Sequence, residues 1–312
     1  MKNMVIIGSI LWIFSSCTFN LDEPGACPYN VRLDYRYAGS PDNERLSAYI
    51  DHIRQYVFDE QGVLVTSWQQ RGDSLSCWQG QLPAGHYTLV CWGNLGQEST
   101  FNTEPIAGVT QLRELMLTSV HGTGADGYRD NTERLYYGHC TLDVAEGMST
   151  ARVVYLTHCH AVMRITVRWA ADPPPFAASG YTLRLRGVPS EYGFPMGYDI
   201  ALPNGKGAFT FPTIGSPTVW HKARAGMNYS NELVGELVTY RFTSGTHPLL
   251  SIYRGEERIM KEIDLQLFFR KLAVGLDENT EQEFDLLVSI DGTKIVVTQM
   301  TGSDWTEGGG LG

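Results

Sequence analysis

The sequence predicts an all-β protein built from β-sandwiches with few short helices, and three observations carry that prediction. Val162, Arg164, Thr166 and Arg168 alternate with Met163, Ile165, Val167 and Trp169, a period of two that places one apolar set on one face and both arginines on the other. Leu33, Tyr35 and Tyr37 alternate in the same way with Arg32, Asp34 and Arg36. Phe284–Ile290 and Thr293–Met300 flank Asp291-Gly292, a strong hairpin signal because a type I′ turn needs positive φ at both central residues. The 33 glycines and 14 prolines punctuate short β-rich runs, a pattern of sandwiches rather than βαβ units.

Taken in order, residues 1–16 read as a secretory signal peptide: Lys2, an apolar run from Met4 to Phe14, then Ser15-Ser16. The run is shorter than the roughly 20 apolar residues of a spanning helix. Cys17 follows small residues, as in the lipobox of bacterial lipoproteins. Such a cysteine becomes the lipidated N-terminus, and an unmodified cysteine after a plain signal is the alternative. Residues 17–30 form a spacer, 31–157 a first sandwich and 158–312 a second, with the boundary near Leu156–His160. Asn43–Gln55 reads as a helix or as a helix leading into a strand. Tyr87–Trp92 and Val153–Leu156 are short β-rich runs, and Leu265–Val274, with Arg270-Lys271 near its end, is a short helix. Pro173-Pro174-Pro175 is placed in a hairpin loop of the second sandwich.

The formal net charge is −10 with no Lys/Arg cluster, which argues against nucleic acid and against electrostatic binding to anionic lipid. Membrane attachment therefore rests on Cys17. Five further cysteines can pair in an exported protein, and an odd number leaves one over: Cys27, Cys77, Cys91, Cys140 and Cys159. Cys77 and Cys91 lie about symmetrically around Pro83-Ala84-Gly85, so a hairpin centred there would oppose them. Cys140 and Cys159 flank a hairpin turning near Glu146-Gly147. These four are the disulfide candidates.

Catalytic motifs are absent: there is no His-Glu-x-x-His, no Gly-x-Ser-x-Gly and no phosphate-binding loop. Gly93-Asn94-Leu95-Gly96 is a turn. His139-Cys140 and His158-Cys159-His160 carry zinc-ligand types. On a strand, however, His158 and His160 share one face while Cys159 points to the other, so no metal site is assigned. Asp126, Asp130, Asn131 and Glu133 form an acidic loop without calcium-loop spacing, read as solvated. Trp68, Trp78 and Trp92 are assigned to a sandwich core rather than to a glycan platform. No catalytic residue and no cofactor are expected.

An ordered set of segments resembles the FimB/Mfa2 family of fimbrial proteins from Bacteroidales. After Cys17 comes Cys27-Pro28-Tyr29-Asn30 before the strand Val31–Tyr37, then Ile53-Arg54-Gln55-Tyr56-Val57-Phe58-Asp59-Glu60-Gln61-Gly62. Leu82-Pro83-Ala84-Gly85-His86-Tyr87-Thr88-Leu89-Val90-Cys91-Trp92-Gly93-Asn94 follows. Leu135-Tyr136-Tyr137-Gly138, the strand with Arg164-Ile165-Thr166-Val167, and Lys261-Glu262-Ile263-Asp264-Leu265 complete the set. The resemblance implies two tandem transthyretin-like sandwiches and a part in type V pili as a lipid-anchored subunit on the outer membrane. Its partners would be other fimbrial subunits joined by β-strand addition. Asp22-Glu23 resemble an acidic surface-export signal. The glycine-rich stretch Trp305–Gly312 has little strand character and is expected not to donate a strand, which favours an anchor or other terminal position. A surface adhesin or glycan-binding lipoprotein is the alternative, and a surface glycosidase a more distant one.

Overall fold

The computed structural model describes residues 29–39, 46–120, 127–170, 180–201, 207–229, 231–301 and 304–310. Residues 1–16, read above as a signal peptide, and Cys17, Asp22-Glu23, Cys27, Asp126 and Pro173–Pro175 lie outside them. The protein is all-β, with two short α-helices among the described residues.

The strands up to Cys159 are β1 (Val31–Tyr37), β2 (His52–Phe58), β3 (Leu64–Arg71), β4 (Cys77–Gly80), β5 (Gly85–Gly93), β6 (Ser99–Phe101), β7 (Met116–Ser119), β8 (Tyr136–Val144) and β9 (Thr150–His158). Those after it are β10 (His160–Trp169), β11 (Tyr181–Ala201), β12 (Ala208–Tyr229), β13 (Glu232–Tyr240), β14 (Leu249–Arg254), β15 (Glu257–Arg258), β16 (Ile263–Asp264), β17 (Gln282–Asp291), β18 (Lys294–Thr301) and β19 (Asp304–Gly310). Helix α1 is Leu46–Tyr49 and α2 is Leu265–Lys271.

The first assembly orders its strands β3-β2-β5-β8-β9-β1-β4. It folds on itself because β9 changes partner along its length. Tyr136 and Tyr137 of β8 pair antiparallel with His158 and Thr157, whereas Thr150–Leu156 run parallel to Val31–Tyr37 of β1. The two layers enclose Val31, Leu33 and Tyr35 from β1, Ile53 and Val57 from β2, and Leu89 and Cys91 from β5. Arg32, Asp34 and Arg36 remain on the opposite face of β1, as the alternation requires.

The second assembly runs β15-β14-β11-β12-β13-β10-β17-β18-β19. Here β12 makes the change of layer, pairing with β11 over most of its length and with β13 at its end. Met163, Ile165 and Val167 of β10 and Phe284, Leu286 and Val288 of β17 face Leu183 and Leu185 of β11, with α2 closing the core through Phe268 and Phe269. Asp264 caps α2, its side chain accepting from the Leu267 amide at 2.8 Å. Gly292 sits at φ +56° in the β17–β18 turn, but Asp291 lacks the positive φ of the expected type I′ turn: it pairs with Lys294, so the turn residues are Gly292-Thr293.

Three expected local arrangements are corrected. Pro83–Gly85 does not centre a hairpin: β4 pairs with β1, while β5 pairs with β2 and β8, so the turn crosses between layers. Strands β10 and β11 flank Pro173–Pro175 but lie apart in the sheet order, with β12 and β13 between them. Asp304–Gly310, expected to lack strand character, forms β19 antiparallel to β18. Main-chain pairing needs no side chain, so a glycine-rich segment can still complete a sheet. The uncertain Asn43–Gln55 stretch resolves, over its described part, as α1 followed by β2.

The two assemblies meet along a seam. β11 is 21 residues long and overruns its own layer. Glu191–Gly193 of β11 pair with Thr118–Met116 of β7, so a segment early in the chain adds to a late strand. Trp92, Tyr137, Leu117, Tyr192, Phe194 and Tyr240 form the buried cluster there.

Candidate functional site

The described cysteines are free thiols: Cys77, Cys91, Cys140 and Cys159. Neither candidate disulfide forms. Cys77 opposes Asp34 of β1, whereas Cys91 opposes Gln55 and Gly138 in the other layer. The β8–β9 register pairs Tyr136 with His158, which places the two thiols of the Cys140–Cys159 candidate about five residues, or ~17 Å, out of register. Burial raises the thiol pKa of Cys91 and Cys159 and pushes that of Cys140 up to about 12, so these are protonated packing groups rather than nucleophiles.

The acidic loop serves the scaffold. One Glu133 oxygen accepts from the Gly96 and Ser99 amides at 2.8 and 3.1 Å and the other from Ser99 Oγ at 2.7 Å. The Asn131 side chain brackets β13, donating to the Glu236 carbonyl and accepting from the Val238 amide, both at 3.0 Å. Oxygens spent on backbone amides are not a calcium cage.

The tryptophans behave as core residues. Trp92 is fully buried, with its ring 5.0 Å from Tyr137. Trp68 on β3 and Trp78 on β4 stack at 4.1 Å and pack against the first core, closing the side where the edge strands of the two layers meet. Among the described residues, the exposed large hydrophobics include one aromatic, Tyr29.

The outer faces carry ion pairs. Arg168 binds Glu232 at 2.7 Å, and Arg164 reaches Glu283 at 2.8 Å, Glu236 at 3.5 Å and Asp285 at 3.5 Å. Where β9 ends and β10 begins, His158 and His160 are buried side by side, their rings stacked at 4.5 Å. Burial holds the His158 pKa well below its ordinary value and lowers that of His160 to about 4, so both imidazoles are neutral at pH 7. The His158 ring nitrogen Nε2 lies 2.7 Å from the Tyr37 hydroxyl, which donates to Glu281 at 2.6 Å. His160 Nδ1 lies 2.8 Å from the Leu135 carbonyl. Sequence reasoning paired these histidines with Cys159 and missed Glu281 and Glu283, which only the parallel β10–β17 register brings alongside.

Sheet edges are the other surfaces of note. In the first assembly they are β3 and β4, and in the second β15 and β19. β3 shows solvent Ser67, Gln69 and Arg71, polar residues of the kind that discourage uncontrolled pairing. Among the described residues, no helix is long and apolar enough to cross a membrane.

Comparison with known proteins bears on this architecture. Residues 23–307 match the family model described as fimbrillin-A associated anchor proteins Mfa1 and Mfa2. No curated relative matches. The fold is similar to the fimbrial anchor protein Mfa2 from Porphyromonas gingivalis, at 15% identity and a TM-score of 0.63, covering 90% of this chain and 99% of that one. It is also similar to a Bacteroides thetaiotaomicron protein described as polysaccharide-binding, at 14% identity and a TM-score of 0.63, covering 86% and 95% of the two chains. A Bacteroides ovatus protein described as an adhesin matches at 14% identity and a TM-score of 0.63, over 90% and 96%.

Proposed function

Because the chain belongs to the family of fimbrillin-A associated anchor proteins Mfa1 and Mfa2, we propose that it is a lipid-anchored, non-catalytic subunit that holds one end of a fimbria to the outer membrane. The observation that carries this reading is the family match over residues 23–307, which takes in nearly all of the chain beyond the signal segment. The lipobox-like Ser15-Ser16-Cys17 supports the lipid, and the net charge of −10 leaves little other affinity for an anionic bilayer. The internal pairing of β17, β18 and β19 supports a terminal place. A strand donated to a neighbour must leave its own sheet, and these strands are spent at home. Partner subunits would meet a remaining edge by strand addition, with main-chain bonds supplying affinity and alternate side chains specificity.

Cys17→Ser tests the tether. The expected outcome is loss of fatty-acid labelling, movement from the membrane fraction to the medium, and shed fimbriae. A Cys17→Ser protein that still takes up the label and stays with the membrane would overturn the proposal.

A second reading, a glycan-binding surface adhesin, draws on the neighbour described as polysaccharide-binding and on the half-buried Trp68–Trp78 stack. A glycan array with the wild type and Trp78→Ala separates the two. Saturable binding lost in the variant selects the adhesin, and an array without binding selects the anchor.

A further inference from the structure

We infer that His158, His160 and Glu283 form a binding site for a zinc-type dication at the seam between the two sheet assemblies. One nitrogen from each ring and one carboxylate oxygen lie within 4.8 Å of one another. The ligands come from three strands: the end of β9, the start of β10 and the start of β17.

The hydrogen bonds leave each imidazole with a bare nitrogen. The Leu135 carbonyl can only accept, so His160 Nδ1 carries the proton and Nε2 keeps its lone pair. The Tyr37 hydroxyl gives its proton to Glu281, so toward His158 it accepts, which puts the His158 proton on Nε2 and leaves Nδ1 bare. His158 Nδ1 and His160 Nε2 are both buried without a hydrogen-bond partner. The two residues are at most 1% exposed. An unmet buried acceptor costs free energy, about 1–3 kcal/mol in typical proteins, and two on adjacent rings call for a common partner. A metal ion accepts both lone pairs. Metal-binding histidines characteristically give their other N–H to a carbonyl or a carboxylate-linked group, and both rings here are held that way.

Glu283 completes the set. It lies on β17 beside Val162 of β10. Its Oε2 takes Arg164 at 2.8 Å, and its Oε1 is 3.9 Å from Arg134. Arg164 and Arg134 also reach Glu236, and Arg164 reaches Asp285. The three carboxylates outnumber the two guanidiniums, so the cluster tolerates a cation. Arg241, donating to the His158 carbonyl at 3.2 Å, adds a third guanidinium and Glu281 on Tyr37 a fourth carboxylate, so the carboxylates remain in excess.

Two imidazoles and a carboxylate suit zinc, with water in the fourth position. Calcium and magnesium prefer all-oxygen shells of six or more ligands and do not fit. Ligands of a tetrahedral zinc stand about 3.4 Å apart, so binding draws the groups together by roughly 1.4 Å at most. The ion would join β9 to β10 and β17 beside the existing Tyr37–Glu281 link, stiffening the joint between the assemblies.

The test uses the tag-free chain from residue 18 onward, stripped with a chelator and titrated calorimetrically with zinc, magnesium and calcium. Expected are one zinc per chain, a midpoint of unfolding that rises with zinc alone, and cobalt d–d bands of tetrahedral type. Glu283→Gln, at a half-exposed position that should fold, is expected to weaken zinc at least tenfold, and His160→Asn likewise where circular dichroism shows it folded. No saturable zinc binding by the wild type overturns the site. So does undiminished affinity in Glu283→Gln, or zinc binding that is lost on alkylating the cysteines.

Discussion

The core of the second assembly and the seam between the assemblies are both buried, yet they are built from different chemistry. The core uses aliphatic side chains and phenylalanine, with the Phe284 ring 4.3 Å from Phe269 and 6.2 Å from Phe242. The seam uses tyrosine, and each hydroxyl has a partner. Tyr137 donates to the Phe194 carbonyl at 2.8 Å, Tyr192 donates to the Cys159 carbonyl at 2.6 Å and accepts from the Arg241 amide at 2.8 Å, and Tyr240 donates to Ser99 at 3.0 Å. A core inside one sandwich needs volume and periodicity. A seam receives strand ends whose last amides and carbonyls have left their ladders, and tyrosine fills space while satisfying them.

The contrast can be broken from the core side first. Phe284→Ala leaves a cavity among rings that cannot collapse fully, and chemical denaturation is expected to show a loss of about 3–5 kcal/mol. On the seam side, Tyr192→Phe keeps the ring but removes the hydroxyl that bridges the Cys159 carbonyl and the Arg241 amide, leaving those two only their direct 3.2 Å bond to each other. The expected loss is about 0.5–1.5 kcal/mol. A loss near zero would mean that the hydroxyl is incidental to docking.

Gly292→Val addresses the turn of the outer hairpin, away from both regions. A Cβ at Gly292 meets nothing within 4 Å, so the penalty is backbone strain at φ +56° alone. Thermal unfolding is expected to report about 1–2 kcal/mol. An unchanged midpoint would show that the turn does not constrain the hairpin.

Acid should act through a buried histidine of the second assembly, opposite Leu185 of β11. His221 of β12 is fully buried, and its ring nitrogen Nδ1 lies 3.1 Å from the Asp130 carbonyl. Burial lowers its pKa to about 4. The unfolded chain therefore binds a proton that the folded chain refuses, and stability present above pH 6.5 is lost as pH falls toward 4. The slope is at most about 1.4 kcal/mol per pH unit for this one group. His221→Asn, which can still donate to Asp130, should flatten the acid limb of a denaturation series, and an unaltered limb would assign the effect to other groups.

Much of the fold was legible in the chain. The faces of β1 and β10, the β17–β18 hairpin, α2 and the burial of Trp92 follow from short-range patterns, because side-chain direction in a strand repeats every two residues and a turn is set by its own φ angles. The family resemblance, too, lies in local segments read in order. What failed was long-range. Cys77 and Cys91 look opposed in sequence, and Cys140 and Cys159 look adjacent, but β4, β5, β8 and β9 choose partners in different layers.

By itself, then, the sequence determined the class of fold, the strand faces and the family. Tertiary structure alone decided which strands pair, that β7 joins β11, that residues 304–310 close their own sheet edge, and that Glu283 stands beside two histidines. The reason is physical. Periodicity and turn chemistry act over a few residues, whereas strand partners are selected by the free energy of burying whole faces, to which segments far apart in the chain contribute together.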